Sequence, residues 1–355
     1  MANSTTNETF LISDEPTNYS DFDFDFDIPA ENITGNDEFV MFIIVIYCFV
    51  FFIGTVGNIA IIYTMAMKKT KKRLADIFIT HLSVADLVFL ITLPLWIVSL
   101  ALNNHWPFGV FLCQFTSYIL SVNMFSSIFF LTSMSIDRYM AIVLLSDTRT
   151  LRTKRYAHLT AGVVWGVSFG LGIQSFFFRT VDDNNRCTDS QSEQKHVFSL
   201  VSRVLAFLLP LLTISICYSS IAIKLHRHFK RMNKEEKYKR RSVKLGLWII
   251  AMFIVSWLPF NILATVRTLF DSQHIDLSSE EINRLQKSLM FATCLAFSNS
   301  CVNPIIYIIL DSYVQKCIFK LLHCSLTHTM ASMKSSMTSS TVYAERDSIS
   351  SKELS

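Results

Sequence analysis

Seven long apolar segments, separated by polar connections, dominate this chain of 355 residues. An α-helix needs about 20 apolar residues to cross a bilayer, and each segment is long enough to do so. The segments lie at about 39–66, 75–102, 110–144, 156–178, 197–226, 242–270 and 283–310. Inside lipid only helices and closed barrels satisfy the backbone, and the alternation typical of barrel strands is missing. The sequence therefore predicts an all-α membrane protein, a seven-transmembrane helix bundle over residues 39–310.

Basic residues indicate which connections face the cytoplasm. The first 67 residues contain neither Lys nor Arg, whereas the first, third and fifth connections are rich in both. The second connection has no Lys or Arg, and the fourth is net acidic. Under the positive-inside rule the first, third and fifth connections are cytoplasmic. We expect a multi-pass plasma-membrane protein with its N-terminus outside the cell and its C-terminus in the cytoplasm.

The N-terminal segment, residues 1–38, is too polar and acidic to form a core and is predicted to be disordered and extracellular. It carries four glycosylation triplets, at Asn3, Asn7, Asn18 and Asn32. Tyr19 is a candidate sulfation site beside a run in which Asp and Phe alternate from 21 to 27. That run is either simple disorder or an anionic segment that attracts a basic partner.

The C-terminal part divides into two segments. Residues 311–324 are predicted to form a short C-terminal amphipathic helix on the membrane surface, with apolar residues facing lipid and Lys facing water. Cys317 and Cys324 are candidate palmitoylation sites there, although either is equally consistent with an ordinary thiol. Residues 325–355 are rich in Ser and Thr and are predicted to be a disordered cytoplasmic tail that kinases phosphorylate.

Polar groups recur inside four of the apolar segments. Asp86 lies at mid-membrane depth in the second, where a carboxylate needs a cation or a proton. Asp137-Arg138-Tyr139 ends the third, and Arg138 can pair with its neighbouring acid. Trp257 and Pro259 lie in the sixth, where proline removes one backbone hydrogen bond and kinks the helix. The seventh reads Asn303-Pro304-Ile305-Ile306-Tyr307.

These four motifs, in this order in four different spans, resemble those of the rhodopsin-like (class A) G-protein-coupled receptors. The resemblance covers about residues 39–325, and within the class it points to the peptide and chemoattractant branch with its chemokine, apelin and angiotensin receptors. It implies an agonist outside, a heterotrimeric G protein of the Gi type inside, and later contact with arrestin and receptor kinases. Two departures argue against an ordinary chemokine receptor: residues 1–38 contain no Cys, and the run Met290-Phe291-Ala292-Thr293-Cys294 lacks the acid that is usual in the outer seventh helix.

The resemblance also assigns residues to roles. An activation switch would use Asp137, Arg138, Tyr139, Trp257, Pro259, Phe253, Pro210, Ile128, Tyr218, Asn303, Pro304 and Tyr307. A sodium ion would be held by Asp86, Asn123, Ser127, Asn299 and Ser300, and a protonated Asp86 in a hydrogen-bond network is the alternative. A disulfide would join Cys113 to Cys187. The base of the sixth helix is Lys- and Arg-rich, so restraint of Arg138 is predicted to be weak.

Two single positions argue against an amine or retinal as the ligand. Leu120 stands where amine receptors carry an Asp, and Phe297 where an opsin carries its retinal lysine. Four basic residues lie near one end of their helices, namely Arg179, Arg203, Arg267 and Lys287. They either reach lipid headgroups or bind an anionic group such as a peptide carboxylate. Trp96 and Trp106 resemble aromatic contacts of peptide receptors.

We therefore expect a receptor for an extracellular peptide or chemokine-like protein, acting in chemotaxis or immune-cell signalling. A weakly signalling scavenger receptor of the same fold is one alternative, and a seven-span transporter or channel is another. No catalytic constellation is present in the sequence, so the chain is not predicted to be an enzyme. No cofactor beyond the sodium ion and no nucleic-acid partner is expected.

Overall fold

Long apolar helices make up most of the described part of the protein. The computed structural model describes residues 37–68, 73–144, 153–189, 201–202, 204–227, 234–272, 278–311 and 313–320. Within these, seven helices are long and apolar enough to cross a membrane. They are α1 (Asp37–Ala66), α2 (Leu74–Ala101), α3 (Gly109–Ile142), α4 (Lys154–Phe178), α5 (Leu209–Arg227), α6 (Lys234–Ser272) and α7 (Ser279–Leu310). The predicted all-α bundle of seven spans is confirmed.

The helix boundaries follow local chemistry as well as hydropathy. A π-helical turn, Val204–Leu208, leads into α5. Helix α6 begins at Lys234, eight residues before the predicted 242, because Lys, Glu and Arg continue a helix readily once it leaves lipid. Helix α7 begins with a capping box, in which the Ser278 hydroxyl accepts from the Glu281 amide and the Glu281 carboxylate accepts from the Ser278 amide.

Two short elements complete the described chain. Strands β1 (Arg179–Val181) and β2 (Cys187–Asp189) form an antiparallel hairpin that the sequence did not predict. Asn185 in its turn has a φ of 56°, a left-handed conformation that asparagine tolerates. Residues 313–320 are helical and are called α8, which agrees with the start of the predicted amphipathic helix; residues 321–324 lie outside the described part. We name the two ends of the bundle the disulfide end and the Arg138 end.

Helix α3 is the most deeply buried span and α1 the least. Even so, α1 approaches its neighbours closely. A Cβ atom on Gly54 would lie 2.8 Å from Leu90 Cδ1 in α2, and one on Gly57 would lie 2.8 Å from Pro304 Cβ and Cγ in α7. Glycine at both positions therefore lets α1 pack directly against α2 and against the proline of α7.

The proline in α7 leaves a backbone carbonyl without its usual donor. Pro304 has no N–H, so the oxygen of Ser300, four residues earlier, cannot form the helical hydrogen bond. Asn58 Nδ2 in α1 donates to this oxygen at 2.8 Å and to the oxygen of Gly54 at 2.9 Å. The side chain of α1 thereby satisfies the group that the kink in α7 exposes.

Candidate functional site

The disulfide end is closed by the β-hairpin. Cys113 and Cys187 form a disulfide with Cα atoms 5.6 Å apart, as the resemblance implied. Gln114 Nε2 donates to the oxygen of Arg179 at 3.0 Å, and the amide of Trp106 donates to the oxygen of Asn185 at 2.7 Å. The hairpin is thus tied to the start of α3 and to the segment that precedes it.

An aromatic cluster lies beneath this hairpin. The ring centroids of Trp96 and Trp106 are 5.1 Å apart, and Phe108 lies 5.1 Å from Trp106. Trp106 Nε1 donates to the oxygen of Gly109 at 3.0 Å, whereas Trp96 Nε1 is buried without a hydrogen-bond partner in the structure. The structure brings the two predicted tryptophans together, and the N–H of Trp96 is a donor that a ligand can use.

The four predicted basic ligand-binding residues have different environments. Arg179 is 1% exposed and its Nη1 donates to the oxygen of Cys187 at 3.1 Å, so it packs into the hairpin. Arg267 and Lys287 are partly exposed in α6 and α7, and Arg203 lies outside the described residues. Leu120 is buried in α3. A shared anion site formed by these residues stays a prediction.

Asp86 lies fully buried at the centre of the bundle. Its Oδ1 accepts from Asn123 Nδ2 at 3.1 Å and from Ser300 Oγ at 2.9 Å, and its Oδ2 accepts from Asn303 Nδ2 at 3.2 Å. All three donors are neutral. Because neutral donors do not balance a buried carboxylate, the site still calls for a cation or a proton.

Ser127 and Asn299, the remaining residues of the predicted sodium site, show whether the site suits a sodium ion. The Ser127 hydroxyl and both polar atoms of the Asn299 amide are buried and have no hydrogen-bond partner in the structure. Unsatisfied buried oxygens are costly, and oxygen ligands suit a hard cation. These residues therefore fit a sodium ion. Sequence reasoning assigned Asn303 only to the switch and missed its contact with Asp86.

Trp257 in α6 packs within a row of aromatic side chains. Its ring centroid is 6.1 Å from that of Phe253 and 6.2 Å from that of Phe260, and Phe207 of the π-helical turn is 6.4 Å from Phe253. Asn261 Nδ2 donates to the oxygen of Trp257 at 2.9 Å across the Pro259 kink. Ile128 is buried in α3, and Pro210 is the second residue of α5. A rotation of Trp257 would therefore displace several packed rings.

A cavity at the Arg138 end lies between α2, α3, α5 and α6. Its lining is mostly aliphatic, with Arg73, Arg138 and Tyr218 as polar exceptions. Arg138 Nη2 lies 3.8 Å from Asp137 Oδ2, a long ion pair. Tyr139 is half-buried in α3, and Tyr307 is fully buried in α7. Two guanidinium groups thus line an otherwise mostly apolar cavity.

A network of ion pairs joins α1, α2 and α8 beside this cavity. Asp76 Oδ2 accepts from Lys68 Nζ at 2.6 Å, and Arg73 Nη2 donates to Asp76 Oδ1 at 2.9 Å and to Asp311 Oδ2 at 2.8 Å. Lys68 Nζ also lies 5.1 Å from the ring centroid of Tyr313. We call these residues the ionic junction. Sequence reasoning missed it, because only the fold brings residues 73 and 311 together.

The junction changes the titration of its own members. Burial alone would raise the pKa of Asp311, but hydrogen bonding to Arg73 and its positive charge outweigh burial and hold that pKa below its ordinary value. Burial alone would lower the pKa of Arg73, but the charge of Asp76 and the hydrogen bond to Asp311 raise it. Asp311 Oδ1 also accepts from the amides of Tyr313 and Val314, so it caps α8 as well.

The predicted modification sites are mostly outside the described residues. Cys317 lies on α8 and is partly exposed. The other predicted sites, Asn3, Asn7, Asn18, Asn32, Tyr19 and Cys324, fall in parts of the chain that the structure does not describe. Their modification stays a prediction.

Known proteins match most of the chain. The family model for the 7 transmembrane receptor (rhodopsin family) matches residues 57–307. Apelin receptor A of Danio rerio is 37% identical, with 87% of this chain and 90% of the relative aligned. G-protein coupled receptor 15 of Mus musculus is 36% identical over 82% of each chain. The apelin receptor of Xenopus tropicalis is 35% identical over 95% of this chain and 98% of its own.

These matches agree with the seven spans, the disulfide at one end of the bundle and the polar groups along α2, α3, α6 and α7. They confirm the resemblance inferred from the four motifs, and the family is one of receptors rather than enzymes. Seven spans together with such relatives make this a multi-pass plasma-membrane protein. The chain belongs to the rhodopsin family of seven-transmembrane receptors.

Proposed function

We propose that this receptor binds an extracellular peptide or small protein at the disulfide end and activates a heterotrimeric G protein at the Arg138 end. The disulfide end then faces outside with the N-terminus, and the C-terminus lies in the cytoplasm. The observation that carries the proposal is the placement of Arg138 and Arg73 on the wall of a mostly apolar cavity, where cationic groups would attract the C-terminal end of a partner's helix. The apelin receptors among its relatives support a peptide as ligand.

The proposal extends to the ligand and to later partners. The acidic residues from Asp14 to Asp27 would attract a basic ligand, and Trp96 and Trp106 would contact it. A G protein of the Gi type, arrestin, receptor kinases and a role in chemotaxis follow from the resemblance. The Ser- and Thr-rich segment 325–355 supplies the residues that kinases would phosphorylate.

The main test uses cells that express the full chain and are exposed to secreted peptides, with G-protein dissociation as readout. We expect one peptide or peptide class to produce a response that is lost in Arg138→Ala at equal surface expression, because Arg138 lies on the wall of the docking cavity. Ligand uptake without G-protein dissociation would favour a scavenger receptor. Ion flux without G-protein dissociation would favour a transporter or channel.

A separate test addresses the sodium ion at Asp86. The unfolding temperature of the purified receptor is expected to rise with NaCl relative to choline chloride at equal ionic strength, because a ligand that binds only the folded state stabilises it. Asp86→Asn should remove this difference, and Asp137→Asn, which changes another buried carboxylate, should retain it. Equal responses of the wild type and Asp86→Asn would show that Asp86 is instead protonated.

A further inference from the structure

Arg73 is the more accessible of the two guanidinium groups on the wall of the cavity at the Arg138 end. Its side chain is 43% exposed, whereas that of Arg138 is 15% exposed. Arg73 already holds a carboxylate from a distant segment, because its Nη2 donates to Asp311 Oδ2 at 2.8 Å. A guanidinium binds carboxylates through short, charge-assisted hydrogen bonds. Arg73 therefore has both the exposure and the chemistry to bind a carboxylate that enters the cavity.

The two carboxylates that now contact Arg73 are held unequally. Asp76 is fully buried, and its Oδ1 accepts from Arg73 Nε at 3.1 Å and from Nη2 at 2.9 Å, while its Oδ2 accepts from Lys68 Nζ at 2.6 Å. Asp311 contacts Arg73 through a single hydrogen bond. Removal of a partner from a buried ion pair is costly. Asp311 is thus the partner that Arg73 can exchange, and Asp76 is the one that it keeps.

Asp311 has other hydrogen-bond donors that do not depend on Arg73. Its Oδ1 accepts from the amides of Tyr313 at 2.9 Å and of Val314 at 3.4 Å, at the start of α8. The amides at the start of a helix carry partial positive charge and stabilise a carboxylate. These contacts remain when Arg73 turns away, so α8 keeps its cap and Asp311 keeps donors.

The ionic junction is also balanced in formal charge. Lys68 and Arg73 are its cations, and Asp76 and Asp311 are its anions. The junction as a whole therefore presents no net charge to the cavity while Asp311 stays on Arg73. An incoming anion has to replace the Asp311 carboxylate to gain the full attraction of the guanidinium.

We propose that Arg73 binds the terminal carboxylate of the partner's helix, and that Asp311 is an internal carboxylate that occupies Arg73 until this partner arrives. The inference rests on the proposed docking of a G protein at the Arg138 end. In the exchange, the hydrogen bond from Arg73 Nη2 to Asp311 breaks and a hydrogen bond from the guanidinium to the incoming carboxylate forms. Asp311 lowers the affinity for every partner that uses Arg73, and a terminus without charge does not compete for it.

The test measures the binding of two peptides to the purified full-length receptor by fluorescence anisotropy. Both peptides have the sequence of the C-terminal helix of the α-subunit of a Gi-type G protein; one ends in the natural carboxylate and the other in a carboxamide. We expect Asp311→Asn to raise the affinity for the carboxylate peptide about two- to fivefold at neutral pH, the factor for one partly exposed ion pair. The affinity for the carboxamide peptide should not change.

Two controls separate this competition from a general change at the Arg138 end. Asparagine at 311 keeps the size of the side chain and still accepts from the α8 amides, and a loosened α8 would alter the binding of both peptides alike. Glu281→Gln makes the same change in net charge at the start of α7, at the disulfide end, and should leave both affinities at the wild-type values.

A double variant tests whether the effect passes through Arg73. Arg73→Gln should reduce the affinity for the carboxylate peptide to that for the carboxamide peptide. In this background Asp311→Asn should have no further effect, because the group for which the two carboxylates compete is absent. Should Arg73→Gln fail to fold, the comparison of the two peptides on Asp311→Asn gives the decision alone.

The outcomes distinguish this inference from the proposed function. Equal affinities of the wild type and Asp311→Asn for the carboxylate peptide, or an equal rise for both peptides, would overturn the inference and leave the proposed docking intact. Absence of binding of either peptide to every variant would contradict the docking itself and the inference with it.

Discussion

The two sides of the Arg138 end are held together very differently. On one side, the ionic junction joins α1, α2 and α8 through ion pairs of 2.6 to 2.9 Å. On the other side, the Arg138–Asp137 pair on α3 is 3.8 Å long, beside a cavity bounded by α5 and α6. Short pairs that share several hydrogen bonds resist separation more than a long pair does.

This difference indicates which helices can move when a ligand binds. The ionic junction gives α2 and α8 one fixed arrangement, so they form a frame for the cavity. Helix α6 borders the cavity through Gly246, Ile249 and Ile250, whose contacts are apolar and can be exchanged for others. We expect α6 to move relative to α3 while α1, α2 and α8 keep their positions.

The largest loss of unfolding free energy is expected from Asp76→Ala. The Asp76 side chain is fully buried and Lys68 is only 6% exposed, so the substitution leaves a buried ammonium group without its carboxylate. Loss of one partner from a buried pair costs about 3 kcal/mol of unfolding free energy. Detergent-induced unfolding of the purified receptor measures this loss. Lys68→Met added to Asp76→Ala should restore part of it, and no restoration would contradict the assigned pairing.

A smaller loss of unfolding free energy is expected from Asp311→Asn, and the size of this loss should depend on pH. The pKa of Asp311 is lower in the folded protein than its ordinary value of about 3.9. A carboxylate of this kind stabilises the folded state above that value, and its contribution is lost as the pH falls through the lower, folded pKa.

Asp311→Asn should therefore cost about 1 kcal/mol at neutral pH, a modest value because Arg73 is 43% exposed to screening solvent. As the pH falls below about 4, the wild type should approach the variant in stability. Unfolding curves from pH 3 to pH 7 test this. A difference between the two proteins that stays constant down to pH 3 would show that Asp311 acts mainly as an uncharged cap of α8.

The smallest change in unfolding free energy is expected from Asp137→Ala, although this substitution is the one expected to change signalling. Loss of this one long contact should raise ligand-free nucleotide exchange about two- to fivefold, the factor for a polar contact of about 1 kcal/mol or less. Asp76→Ala should lower the folded amount without raising exchange per folded receptor. A rise in both variants, or in neither, would remove the distinction between the two sides.

The sequence predicted the features that depend on periodicity and on motifs within one segment. The seven spans follow from residue types along the chain, and so does the placement of Pro259 and Pro304 inside helices. The Cys113–Cys187 pairing followed from the resemblance, and the structure confirms it. These predictions succeeded because lipid leaves the backbone few alternatives.

The features that sequence reasoning missed depend on contacts between distant segments. The partners of Asp311, the β-hairpin at residues 179–189 and the overlap between Tyr218 and position 246 have no signal within one helix. From the sequence alone, Gly246 indicates only a local loss of helix stability, because its contact with the Tyr218 phenol depends on the fold. The fold also adds a contact for Arg179, whose Nη1 donates to the Cys187 oxygen in the hairpin, and its predicted contact with a ligand stays a prediction.

The hydrogen bond from Asn58 to the Ser300 oxygen also bears on how the chain is assembled. Helix α1 carries the donor, and α7 carries the carbonyl that Pro304 leaves without one. Helix α7 can therefore acquire this hydrogen bond only after α1 and α7 have met. An error at residue 58 in α1 would thus be felt in α7, 242 residues later in the chain.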